Sequence, residues 1–147
     1  MMNNEKLLKR VGLFSCLEDR YLKHISEFCV RRTFKKGDVI LNQGDPGIGL
    51  YIIVSGKVKI TKELAKRDII EVAIHGPGEF VGEMTVLDNA PRSASVIALE
   101  NTDCLVLTAW DFKARLKAHP EIALALLPVV VRRFRETNEI LLALSRA

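Results

Sequence analysis

Cysteine and histidine are scarce in this chain, with three of each in 147 residues. Cys16, Cys29 and Cys104 are an odd number without a Cys-x-x-Cys pair, which argues against a disulfide framework and for a reduced, cytoplasmic setting. Buried thiols are expected at all three. His24, His75 and His119 are scattered over unlike segments. A metal-dependent barrel enzyme needs clustered His and Glu ligands, so neither an enzyme nor a metal or other cofactor is expected. Long hydrophobic runs are also missing. The longest, 122–131, is too short for a bilayer and is broken by Pro128. Residues 1–10 are polar and charged, with no apolar stretch of signal-peptide length. No membrane partner is indicated. Charge of one sign is modest, at a formal net +4. That excess agrees with an anionic ligand without demanding nucleic acid. Arg31-Arg32, Lys35-Lys36 and Arg132-Arg133 read as solvated faces rather than a DNA footprint.

What is present fits one soluble domain. Hydrophobic residues make up 48% of the chain and charged residues 27%, which is ordinary for a chain with a real core. Leu7, Leu8 and Val11, then Leu22, Ile25, Phe28 and Cys29, recur at helical spacing. The segment 33–107 changes character. Short apolar runs (Val39-Ile40-Leu41, Leu50-Tyr51-Ile52-Ile53-Val54, Val58-Lys59-Ile60, and 69–75) alternate with turns such as Gly44-Asp45-Pro46-Gly47 and Gly76-Pro77-Gly78. Strands at this spacing predict a sandwich or barrel. Thr108-Ala109-Trp110-Asp111 reads as a capping box with Asp in place of Glu, opening a short helix that ends near His119-Pro120. A long helix is expected from there to about residue 146, with an irregularity possible at Pro128. Leu127, Val130, Phe134, Thr137, Leu141 and Leu144 mark a coiled-coil seam along it.

The segment 80–96 carries the most specific chemistry. A Gly82-Glu83 pair is expected to open a short helix, and Pro91-Arg92-Ser93-Ala94 to return the chain to a strand. A helix start offers backbone N–H groups to an anion. Arg92 supplies a planar, permanently charged fork suited to phosphate. Glu83 supplies a carboxylate that can accept from a sugar hydroxyl. An ordinary helix-end acid or a surface arginine would explain either residue alone. Together they describe one anionic, sugar-bearing ligand.

This pattern resembles the phosphate-binding cassette of cyclic-nucleotide-binding domains, and the order of elements is similar to that of the CRP/FNR family of bacterial regulators. The resemblance implies a mainly β fold with flanking helices: N-terminal helices, an antiparallel β-roll of the jelly-roll, double-stranded β-helix kind, a short cassette helix, and a long C-terminal dimerisation helix. It implies a single domain, 1–147, with a helical lead at 4–30, the roll at 31–107 and C-terminal helices at 108–147. The ligand implied is cAMP, with cGMP admitted by the Ser93 hydroxyl. Arg92 would bind the cyclic phosphate and Glu83 the ribose 2′-hydroxyl. Ser93, Gly82, Met84 and Ala94 would complete the cradle. Thr137 and Asn138 match a Thr-Ser or Thr-Asn pair that contacts adenine in this family, one residue from each subunit, although a polar notch that sets helix register would also account for them. Val72 and His75 join the expected ligand-binding set. His75 stands where the family usually has an aliphatic residue close to the base, so a pH-dependent contact is a further expectation. The iron–sulfur sensors of the same superfamily carry an N-terminal cysteine cluster that this sequence does not show. Family regulators continue into a helix-turn-helix domain, so the chain is expected to be the effector-binding part of a homodimeric regulator and not to read DNA by itself. A free-standing module serving a partner protein, or a roll that only dimerises, are the alternatives.

Overall fold

The computed structural model describes residues 3–65, 68–88 and 90–146. Asn89 of the cassette and Ala147 lie outside them. The elements run α1 (Asn4–Lys9), α2 (Asp19–Ser26), β1 (Val30–Phe34), β2 (Val39–Leu41), β3 (Gly49–Ser55), β4 (Val58–Glu63), β5 (Ile69–His75), β6 (Phe80–Val81), α3 (Thr85–Asp88), β7 (Ser95–Ala98), β8 (Thr102–Thr108), α4 (Ala109–Ala118) and α5 (Pro120–Ser145). All strand pairings are antiparallel. They form two four-stranded sheets, β1-β8-β3-β6 and β2-β7-β4-β5. The fold is mainly β with flanking helices and one long C-terminal helix, as the sequence predicts.

Two cores share the first sheet, and the two-residue strand period sorts side chains between them. From β3 and β8, Leu50, Ile52, Leu105 and Leu107 pack with the helices, against Phe14, Phe112 and Ile122. Their neighbours Tyr51, Ile53, Cys104 and Val106 point the other way, into the roll, against Leu41, Val58, Ile60 and Val96. A strand buried on both faces reads as a continuous apolar run, which is why Leu50-Tyr51-Ile52-Ile53-Val54 shows no alternation. In β4 the alternation is visible: Val58 and Ile60 are buried while Lys59 is half-buried. Phe14 and Phe112 meet edge to face at 5.6 Å, which pins the turn after α1 to α4.

The capping expectation at α4 holds with a difference. The Thr108 hydroxyl accepts from the Asp111 N–H at 3.1 Å and donates to the Asp111 carboxylate at 3.0 Å. Asp is too short to reach back to the cap's own N–H, so it takes the hydroxyl proton instead. Helix α5 is continuous through Pro128, which is exposed. Ile122, Leu126 and Val129 anchor the first half of α5 in the core. Beyond them Phe134, Ile140, Leu141 and Leu144 are all exposed.

Four expectations need correction. Helix ends are earlier than the apolar spacing suggests: Val11 falls in a turn after α1, and Phe28 and Cys29 follow α2. Cys16 is exposed rather than buried, because it lies on the outer side of that turn; Cys29 is intermediate and Cys104 buried. His24 and His119 are not scattered but stacked at 4.3 Å, because α2 packs beside the α4–α5 junction. Arg133 is not a solvated charge, as described below.

Candidate ligand-binding site

The chain returning from α3 to β7 is fastened to the β2–β3 loop. The Arg92 N–H donates to the Asp45 carbonyl, and the Arg92 carbonyl accepts from the Gly44 N–H, each at 2.8 Å. The Gly47 N–H reaches the Ala90 carbonyl at 3.1 Å. These bonds fix the arginine backbone, and the side chain then turns inward. Arg92 is only 7% exposed. Its Nη2 donates to the Gly49 carbonyl at 2.6 Å and its Nη1 to the Thr85 hydroxyl at 3.1 Å. The guanidinium lies 5.7 Å from the centre of the Tyr51 ring, within cation–π range. Among the described residues Nε has no partner, and no carboxylate pairs with the group. Burial pulls its pKa below the ordinary arginine value, with Tyr51 opposing the shift. A buried cation without a counter-ion is costly unless something anionic comes to it.

A cavity of about 350 Å³ lies beside it, within the size range of small-ligand sites. On one side the cassette lines it with Gly82, Glu83, Met84, Thr85, Arg92 and Ser93. Leu41 of β2, Ile60 of β4, Val81 of β6 and Val96 of β7 supply the apolar side, with Pro91 and Ala94. Gly82 sits at φ +83, and a methyl group there would collide with the Arg92 guanidinium and the Gly49 carbonyl. Only glycine fits both the conformation and the space.

Glu83 does not open a helix. It lies in the turn before α3, which starts two residues later at Thr85 and is a single turn long. Its Oε1 accepts from the Leu13 N–H at 2.6 Å and pairs with Arg133 Nη1 at 2.6 Å. The Arg133 guanidinium lies directly over Gly12, where a side chain would displace it. One carboxylate oxygen thus ties the cassette to the turn after α1 and to α5.

The cavity therefore brings together Gly82, Glu83, Met84, Arg92, Ser93 and Ala94 and leaves out the other four expected residues. Val72 and His75 sit on β5, which is separated from β7 by β4. Val72 is exposed, and His75 Nε2 faces Glu79 at 3.7 Å. Thr137 and Asn138 lie on the exposed half of α5, where the Thr137 hydroxyl donates to the Arg133 carbonyl at 2.9 Å. Sequence reasoning missed Arg133, Thr85, Gly49 and Tyr51. Arg133 was within reach, being one helical turn before Thr137. Nothing local announces that Gly49, far back in the chain, accepts from Arg92. Among the described residues no three His, Cys, Asp or Glu side chains gather as a metal site. No described helix is long and apolar enough to cross a membrane.

An antiparallel roll here buries an arginine that has no carboxylate partner among the described residues, beside a largely apolar cavity, which is the chemistry of a site for a small anion with an apolar part. The chain belongs to the cyclic nucleotide-binding domain family, whose sequence profile matches residues 31–119. It is 39% identical over 131 residues to the cyclic AMP receptor protein of Thermus thermophilus, covering 89% of this chain and 61% of that relative. It is 34% identical over 122 residues to a cyclic nucleotide-gated potassium channel of Mesorhizobium japonicum, covering 83% of this chain and 32% of the channel. The crystal structure of the N-terminal domain of a Streptomyces coelicolor transcriptional regulator superposes with a TM-score of 0.83 at 35% identity, covering 90% of this chain and 95% of that one. The chain thus spans less than two thirds of the length of the curated relatives it matches.

Proposed function

We propose that the chain is a cyclic-nucleotide sensor, binding cAMP before cGMP, and that it forms the effector-binding domain of a transcriptional regulator. The observation that carries this reading is Arg92, a buried guanidinium with no carboxylate partner among the described residues, at the wall of a ligand-sized cavity. A cyclic phosphate is the counter-ion it lacks. Glu83 Oε2 accepts from the ribose 2′-hydroxyl while Oε1 keeps its protein contacts. Ser93, Gly82, Met84 and Ala94 close around the phosphoribose. Thr137 and Asn138 meet the base when a second copy pairs along α5, whose exposed Leu127, Phe134, Leu141 and Leu144 support that pairing. The name of the Thermus relative supports cAMP. The similarity to a channel supports the second reading, a sensor domain joined to a different output.

Micromolar binding requires about −8 kcal/mol, and each charge-assisted bond contributes about 1.5–3 kcal/mol. Calorimetric titration should therefore show cAMP binding that Arg92→Gln weakens about 100-fold or more. Arg92→Lys should not rescue it, because a point charge lacks the planar fork. A chain that binds neither nucleotide would overturn the reading and leave a roll that only dimerises.

A further inference from the structure

The oxygens that hold Arg92 are both uncharged. One is the Gly49 carbonyl and the other the Thr85 hydroxyl. Thr85 is itself held. Its hydroxyl lies 2.7 Å from the Gly82 carbonyl and 3.0 Å from that of Gly49, so its single proton is committed to a main-chain oxygen. The lone pairs are left for Arg92 Nη1. Its methyl side packs where Gly47 leaves room, and any side chain at position 47 would collide with it. The threonine thus has one place to stand and one orientation for its hydroxyl.

We infer that Thr85 is a positioning residue that aims the Arg92 guanidinium at the ligand phosphate without neutralising it. Two acceptors on two different nitrogens fix the plane of the fork. Only two of the five guanidinium N–H groups are spent in this way, and Nε remains without a partner among the described residues. A carboxylate in the same place would also accept from the fork, although it has no proton for the Gly82 carbonyl. It would also cancel the charge and make the incoming phosphate compete for it. A neutral clamp gives orientation and keeps the full positive charge for the anion. Preorganisation of this kind raises affinity by removing the cost of ordering the side chain during binding.

The inference rests on the cyclic-nucleotide reading, and four variants of the full chain test the two separately. Thr85→Ser keeps the hydroxyl and should bind cAMP within about threefold of wild type. Thr85→Val keeps the shape, loses the acceptor, and should bind about tenfold or more weakly, the scale of one charge-assisted bond. Thr85→Asp supplies an internal counter-ion. Its carboxylate has no proton for the Gly82 and Gly49 carbonyls, so Thr85→Asn, equal in shape and uncharged, is the control. Thr85→Asp should lose cAMP binding and Thr85→Asn should keep measurably more of it. A difference set by charge alone is what a merely structural threonine would not produce. Unchanged cAMP affinity in Thr85→Val, or near-wild-type binding by Thr85→Asp, would overturn the clamp and leave the receptor reading standing. A wild-type chain that takes up no cyclic nucleotide would overturn both.

Discussion

At the scale of single residues, the economy of the site lies in Arg92. Burial disfavours its charged form, and the Tyr51 ring offsets only part of that penalty. A group held at such a cost is a source of ligand affinity and a weak point of the empty chain. Arg92→Met should therefore abolish cAMP binding while leaving the ligand-free stability unchanged or raised by about 1 kcal/mol. Thermal melts with and without nucleotide read both effects. His75 provides the contrast. It faces Glu79 and lies outside the cavity, so His75→Leu should bind cAMP with the affinity and pH profile of wild type, by titration between about pH 5.5 and 8. The cassette residues were legible in the sequence because a turn, a helix and a strand start keep them close along the chain. Gly49 and Tyr51 were not, because they reach Arg92 only after β3 is laid beside β6 and β8.

Among the elements, α5 divides into two halves with different tasks. The first half is fixed by buried Ile122, Leu126 and Val129 and by the Arg133–Glu83 pair. The second half shows a row of exposed large apolar side chains, more than a lone soluble helix normally carries. Phe134→Lys should shift sedimentation equilibrium from dimer toward monomer. It should change the melting temperature little at protein concentrations where wild type is already monomeric, because Phe134 is 66% exposed within one chain. The helix itself was easy to read from its apolar spacing. Its link to the cassette was not, because Arg132-Arg133 looks like any solvated basic pair. Which of the two arginines turns inward depends on where the helix axis lies over Gly12. The boundaries of α1 and α2 were misjudged for a related reason. Apolar residues at helical spacing mark what is buried, and the turn after α1 buries Val11, Leu13 and Phe14 as fully as a helix would.

For the molecule as a whole, the two cores give the thiols different fates. Cys29 is pushed up to about 12 by burial, with Asp111 adding to it, and Cys104 to about 11 by burial, with Asp103 adding to it. Both stay protonated near neutrality, whereas Cys16 is exposed. A thiol-specific reagent at pH 8 should modify one cysteine in the native chain and three after unfolding. The sign of the pH dependence follows. Above about pH 9 the unfolded chain loses thiol protons that the folded chain retains, so stability should fall as pH rises from about 9 to 11. Urea melts across that range check it. A sandwich or barrel of short strands was legible from the turn spacing, but the division into two sheets and the sharing of one sheet between two cores were not. A doubly buried strand hides its alternation, and only the packed helices show which residues face them. One small feature has a reach beyond its size. Glu83 lines the cavity beside Arg92 and, through Oε1, also holds the Leu13 N–H and Arg133. A ligand group that tilted that carboxylate would be felt by a long helix on its other side, as a rocker arm passes the motion of a valve to a shaft.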